Sequence, residues 1–307
     1  MIHSSRQLKD LIRNLSKSTG VDAYILMRQY MMERFLERVS KSQYRNIFII
    51  KGGILVASLL GVNQRTTMDI DTTIKGFTVT ISEIQKLIED IISIPIDDDV
   101  VFHIKSYHTI IEDMDYPGVR VSLDAVIENS IIPLQLDIST GDIIIPGEVQ
   151  YSYELMFEKR SISLMAYTLE TVLAEKLETI IARATNNTRM RDFYDIAVLY
   201  DVFLLEINQD TLSSALLETA KKRGSDSLLN NVDAILCAIA NSHELSQFWS
   251  NFQNKYEYAK SLNWEKVLKS VRDIAIDAGL PVKEVKNIKQ TMINKKGRVK
   301  EHDNMER

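Results

Sequence analysis

Residues 51–71 read KGGILVASLLGVNQRTTMDID, and this stretch decides how the chain folds. The run Ile47-Phe48-Ile49-Ile50 just before it has the length and β-branched content of a buried strand. That strand runs into Gly52-Gly53, where absent side chains let the backbone come close to a ligand. A short apolar helix follows, then a polar loop, then Asp69-Ile70-Asp71. Residues two apart in a strand face the same way, so this spacing sets two carboxylates side by side next to a glycine turn. Carboxylate oxygens hold hard divalent cations, and backbone N–H groups at a helix start hold phosphate. The combination suits phosphoryl or nucleotidyl transfer, which relies on positioning and charge neutralisation.

Upstream, residues 4–45 carry helical periodicity. Leu8, Leu11, Ile12 and Leu15 share one face, Ser18-Thr19-Gly20 makes a break, and a second helix spans 22–40. Its stripe of Tyr24, Met27, Met31, Phe35 and Val39 reads as core packing. Downstream, Met68–Ile74 reads as a strand and Thr80–Ile92 as an amphipathic helix with Ser82 as its N-cap. Val100–Ile110 and Gly118–Val126 alternate as strands do. Ile132–Ile138 pairs with the latter as a hairpin across Glu128-Asn129-Ser130, and Ile143–Gly147 ends the region. From about residue 165 the pattern is helical: Leu169–Ala184, Met190–Phe203, Asp210–Lys222, Ser225–Ala240, His243–Tyr258 and Asn263–Ala278. The expected fold class is therefore α+β, a mixed sheet flanked by helices and followed by a helical bundle. The expected segments are 1–45, helices packing on the core; 46–160, the α/β domain; 161–282, the helical domain; and 283–307, a basic, flexible tail with Lys283, Lys286, Lys289, Lys295, Lys296, Arg298 and Lys300.

Composition agrees with a globular chain of two domains: 307 residues, 45% hydrophobic and 26% charged, with scarce glycine (11) and proline (5) that favour helices over an all-β fold. The net charge of −5 announces no nucleic-acid binder overall, although a local basic surface is compatible with it. Cys237, the lone cysteine, stands in an apolar helical run and reads as a buried thiol in a reducing compartment. No apolar run approaches the roughly 20 residues of a membrane span, and Met1–Arg6 is too polar for a signal peptide, so a cytoplasmic location is expected. A monomer is expected too, because each helix has one apolar face to bury and no long stripe is left over.

A metal-dependent transferase of this kind needs a further acid from a neighbouring strand. Asp137 ends the apolar run Pro133–Leu136, where an unpaired charge would be costly, so a metal or a basic side chain should partner it. Asp124 on the adjoining strand is the substitute. A second constellation lies in the helical region. Lys176 sits inside an apolar face with Leu173, Leu177 and Ile180, and Asp192 and Asp195 share a later helix face beside Arg191. Two readings stand here: Lys176 contacting a nucleoside triphosphate as a point charge, or Arg191, Asp192 and Asp195 forming an ion-pair network at a helix start.

Together, Lys51-Gly52-Gly53, Arg65-Thr66-Thr67-Met68-Asp69-Ile70-Asp71, Ala174-Glu175-Lys176-Leu177 and Arg191-Asp192-Phe193-Tyr194-Asp195 resemble, in order and spacing, the four motifs of the AbiEii/AbiGii toxin family. That family comprises nucleotidyltransferase-like toxins of type IV toxin–antitoxin and phage abortive-infection systems, within the DNA polymerase β-like superfamily. The resemblance covers roughly residues 45–200 and implies a nucleotidyltransferase that uses NTP and Mg²⁺. It implies RNA as acceptor, in particular the tRNA 3′ end, with a block of translation and growth, and a cognate antitoxin as partner. By the resemblance Gly52 and Gly53 make the phosphate-proximal turn, Asp69 and Asp71 match the metal-binding acids, Lys176 the nucleotide-contacting lysine, and Asp192/Asp195 the last motif. Thr67 keeps a hydroxyl where a serine is common, and Arg65 brings a positive charge near the phosphates, with a solvated loop charge as its other reading. Ile54 follows the glycines where a small hydroxyl residue is common. A protein or small-molecule acceptor, and a non-catalytic binding module, are the alternatives.

Overall fold

Local signals set the first two helices of the computed structural model, which describes residues 2–76, 80–110 and 118–283. Helix α1 (Ser5–Thr19) starts where the Ser4 hydroxyl accepts from the Gln7 N–H, and ends at Gly20 with φ 73°. Helix α2 (Ala23–Lys41) starts at Asp22, whose carboxylate accepts from the N–H groups of Tyr24 and Ile25. The strands that follow are β1 (Phe48–Ile50), β2 (Ile70–Ile74), β3 (Val101–Ile110), β4 (Gly118–Ile127), β5 (Ser130–Thr140), β6 (Val149–Glu154) and β7 (Ser161–Ala166). They form one seven-stranded sheet in the order β3-β4-β5-β2-β1-β7-β6. The pairs β2/β5 and β1/β7 are parallel and the others antiparallel.

Helix α2 is buried almost all round, lying against β5 and β7, with α1 and α4 (Ile81–Ile92) packed on it. Its apolar face holds Met27, Met31, Phe35 and Val39. The Phe35 ring meets Phe48 at 6.2 Å and, edge-on, Phe102 at 5.9 Å. Tyr24 belongs to the expected stripe but lies in the first turn of α2 and is exposed. The opposite face is buried through ion pairs. Arg38 holds Asp98 with two bonds of 2.8 and 2.9 Å, and Arg34 and Arg160 clasp Glu37 and Glu158. Buried charges persist when paired in this way.

Several elements differ from the sequence reading. Thr80, not Ser82, caps α4, because its hydroxyl accepts from the Glu83 N–H while its own proton reaches the Glu83 carboxylate. Strand β2 begins at Ile70, so Met68 and Asp69 precede it. The hairpin turn narrows to Glu128-Asn129, with Glu128 at φ 49°. Strands β6 and β7 were not expected. They extend the sheet to Ala166, beyond the 46–160 segment assigned to it, because β7 lies parallel to β1.

The helical part comprises α5 (Leu169–Arg183), α6 (Met190–Phe203), α7 (Gln209–Lys222), α8 (Val232–Ala240), α9 (His243–Lys255) and α10 (Trp264–Asp277). Helix α5 packs on α6 and α7, and α10 packs on α6. The expected helix 225–240 is a 3-10 segment, Asp226–Asn231, followed by the short α8. Because α8 turns Val232, Leu236 and Ile239 inward, Cys237 is exposed rather than buried. The basic tail expected over 283–307 lies outside the described residues except for Lys283. Among the described residues no helix is long and apolar enough to cross a membrane.

Candidate active site

The turn after β1 enters helix α3 (Gly52–Leu60), and its geometry depends on both glycines. Gly52 has φ 55°, and a Cβ there would lie 2.3 Å from Asp71 Oδ2. A Cβ on Gly53 would lie 2.6 Å from Thr67 Oγ1. Helix α3 has no side-chain cap of its own; instead the Gly53 N–H donates to Asp71 Oδ2 at 3.0 Å. The glycine turn and the second acid are thus one unit, joined across β1 and β2. Ile54 is fully buried, so the position after the glycines serves the core and not the cleft.

Asp69 and Asp71 line an open cleft of about 710 Å³ between the sheet and the helical part. The Arg28 guanidinium of α2 donates from Nη2 to Asp69 Oδ1 at 3.3 Å and from Nε to the Met68 carbonyl. Thr67 Oγ1 lies within hydrogen-bonding reach of the Asp69 backbone. Burial pushes both carboxyls above the usual carboxylate range. At Asp69 the neighbours Asp71 and Asp137 push the same way while Arg28 opposes; at Asp71 the Gly53 N–H and Lys51 oppose. One oxygen of each acid, Asp69 Oδ2 and Asp71 Oδ1, is left without a hydrogen-bond partner among the described residues. Two free carboxylate oxygens side by side are hard donors of the kind magnesium takes, so this pair fits the ion.

Asp137 has the basic side chain that the sequence reading offered beside a metal as its partner. The register sets Asp137 beside Asp71 on one side and opposite Arg120 on the other. Arg120 takes both carboxylate oxygens, at 2.8 and 2.7 Å. The fork uses one lone pair of each oxygen, and among the described residues no three acids, histidines or cysteines gather as a ready cation site. Asp124, the substitute, pairs with Lys105 at 3.2 Å.

Across the cleft stands Lys176 of α5. Its Nζ lies 2.9 Å from Asp192 Oδ1 and 2.8 Å from Asp195 Oδ2, both on α6. Asp195 has no exposed surface and also takes a fork from Arg65, at 2.7 and 3.2 Å. Burial works against every charge here, but the mutual pairing outweighs it. Arg65 and Lys176 hold the Asp195 carboxyl down at about 2, and the two acids hold the Lys176 ammonium above its ordinary value. Arg65 is thus a buried strut under Lys176 as well as part of the cleft lining, and not a solvated loop charge. Asp192 lines the cleft and Asp195 does not. The ion-pair network expected at the start of α6 exists, but Lys176 and Arg65 are its cations, whereas Arg191 turns to Tyr256.

The sequence reading gave no role to several residues here. Lys51 bonds Asp142, which also accepts from Tyr167, Ser139 and Lys222 and is held well below the usual carboxylate range despite its burial. Arg223, just past the end of α7, pairs with Glu175 and Glu178. Phe248, Phe252, Lys255 and Tyr256 close the helical side. Lys51 was visible at the head of the glycine turn. The others come from distant segments that only the fold brings together.

The sequence matches, over residues 34–274, the family described as nucleotidyl transferase AbiEii toxin, type IV TA system. No curated protein matches it. Among solved structures, a candidate nucleotidyltransferase from H. pylori is similar at 16% identity, covering 84% of this chain and 98% of that one, with a TM-score of 0.46. The JHP933 protein from Helicobacter pylori is similar at 15% identity, covering 84% and 95%, with a TM-score of 0.48. An antigenic nucleotidyltransferase-like protein from Paracoccidioides brasiliensis is similar at 13% identity, covering 87% and 94%, with a TM-score of 0.28.

Proposed function

The chain belongs to the AbiEii family of nucleotidyltransferase toxins of type IV toxin–antitoxin systems, and from that premise we propose that it transfers a nucleotide from NTP to an RNA hydroxyl, the tRNA 3′ end being the acceptor the family resemblance implies. The observation that carries the reading is the facing of Asp69 and Asp71, tied to the Gly52-Gly53 turn, by Lys176 across one cleft. A family of toxins in toxin–antitoxin systems also implies an antitoxin as partner. The monomer and the cytoplasmic location expected from sequence belong to the same proposal.

On this reading the triphosphate lies along the Gly52-Gly53 turn, with Lys176 and Lys51 supplying positive charge. Asp69 Oδ2 and Asp71 Oδ1 would hold magnesium, which when bound neutralises phosphate charge and lowers the cost of in-line displacement. Arg28 keeps Asp69 aimed, and the Gly53 N–H does the same for Asp71. The acceptor hydroxyl oxygen bonds to the α-phosphorus, the bond from that phosphorus to the β-phosphate bridge breaks, pyrophosphate leaves, and the hydroxyl proton passes to water. Asp192, half free of Lys176 on the cleft side, can rotate away when triphosphate takes the ammonium; Asp195 beneath stays paired with Arg65. Growth arrest on expression in bacterial cells tests the reading. Asp69→Ala and Lys176→Ala should each abolish it, and arrest unchanged in both variants contradicts it.

A further inference from the structure

Every cation deep in the cleft has a carboxylate partner: Lys51 with Asp142, Arg65 with Asp195, Lys176 with Asp192 and Asp195, Arg223 with Glu175 and Glu178. The helical wall is different. Arg189 and Arg191 at the start of α6, and Lys255 at the end of α9, line the same cleft and have no carboxylate partner among the described residues. Arg191 and Lys255 bracket an aromatic surface, with Arg189 lining the same cleft. The Arg191 guanidinium lies over the Tyr256 ring, 5.1 Å from its centre, and donates to its hydroxyl at 2.7 Å. The Lys255 ammonium lies 5.5 Å from the same ring. Tyr256 is backed by Tyr258, stacked at 5.3 Å, and by Phe252 at 4.8 Å, so the ring is held in place where it lines the cleft.

A rigid aromatic ring with a guanidinium over it and further cations beside it matches what a single nucleic-acid strand requires: a ring-and-guanidinium platform for an unstacked base and positive charge for the phosphates. A donor nucleotide does not explain it. On the transferase reading its triphosphate is met by the glycine turn, Lys176 and Lys51, and its uncharged base gives three cations nothing to neutralise. We propose that Tyr256, flanked by Arg189, Arg191 and Lys255, seats the single-stranded end of the RNA acceptor, an inference that rests on the transferase reading of the same cleft. The two walls then divide the work: the sheet side and Lys176 hold the donor, and the start of α6 with the end of α9 holds the acceptor strand. A chain of net charge −5 thereby presents a confined basic site to RNA without a basic surface overall.

The test uses the full-length protein and a short 5′-fluorescein-labelled single-stranded RNA. Anisotropy titrations at several salt concentrations are set beside calorimetry with a non-hydrolysable NTP and magnesium. Tyr256→Leu should weaken RNA binding about tenfold, since base–aromatic stacking supplies that order of affinity. Tyr256→Phe, which keeps the ring, should restore most of it. In the Arg189→Gln/Lys255→Gln variant, altered only at exposed positions, the slope of log affinity against log salt should fall by roughly 0.7 for each cation removed. NTP affinity should be unchanged in all three. RNA affinity and salt slope unchanged in the variants overturn the inference, as does a fall in NTP affinity in place of RNA affinity. Wild-type protein that binds NTP but no RNA also overturns it and leaves the transferase reading with another acceptor. RNA binding lost in these variants, with no NTP binding by wild type, overturns the transferase reading and with it the acceptor role, and leaves Tyr256 as an RNA seat alone.

Discussion

At Gly52 a single added methyl would meet Asp71 Oδ2 at 2.3 Å on a backbone already at φ 55°. Gly52→Ala should therefore lose about 1–3 kcal/mol of stability and most of its transfer activity, because the acid must move to admit the Cβ. Gly53→Ala, on a backbone without positive φ, meets the Thr67 side chain at Oγ1 and Cβ and Arg65 Nη2 at 3.5 Å, so activity should fall with a smaller loss of melting temperature. Melting curves and single-turnover assays on both variants check this, and two variants indistinguishable from wild type contradict it. Away from the cleft, Glu33 of α2 is buried, accepts from the Met156 N–H, and has its carboxyl pushed up to about 8 from 4.5 by burial. It is an acid whose folded value is raised. Its contribution to stability is thus complete below about pH 4.5 and declines as pH rises toward about 8, where folding must bury the charge. Glu33→Gln keeps the acceptor oxygen and removes the titration. Melting temperature relative to wild type should climb for Glu33→Gln between those limits, and parallel profiles would show that Glu33 is not the group.

The pairing of α5 with α6 separates two acids that spacing alone left equivalent. Asp195 joins Lys176 to Arg65 with no exposed surface, whereas Asp192 lines the cleft and shares only Lys176. Asp195→Ala leaves two buried cations short of a partner and should cost about 3–5 kcal/mol. Asp192→Ala should cost roughly 1 kcal/mol, since Lys176 keeps Asp195. Denaturant titrations measure both, and equal losses contradict the assignment. The contrast also shows what the sequence could reveal. The strand–glycine–helix–strand order, the hairpin of β4 and β5 and the long helices were legible because their apolar periodicity is local. Strands β6 and β7 were missed: each has only six residues, and nothing nearby shows that β7 completes the sheet beside β1. Asp69, Asp71 and Lys176 were legible by type and spacing. The Arg120 fork on Asp137 and the Arg28 bond to Asp69 were not, because register and the packing of α2 create them.

Across the whole molecule, one cleft is lined by residues from opposite halves of the chain, and on the proposed reading the sheet side with Lys176 takes the donor and the start of α6 with the end of α9 takes the acceptor. The sheet contributes Gly52, Gly53, Asp69 and Asp71, and the helices contribute Lys176, Arg191, Lys255 and Tyr256. If both substrates bind as proposed, a chain with excess negative charge receives two polyanions at one place because the deep cations are paired with carboxylates while Arg189, Arg191 and Lys255 are not. Incubation of the purified protein with magnesium, each α-labelled NTP and total tRNA, resolved on a denaturing gel, tests the central claim most directly. The account predicts label on RNA with wild-type protein and none with Asp69→Ala. Label confined to the protein, or label on RNA that persists in Asp69→Ala, would contradict it.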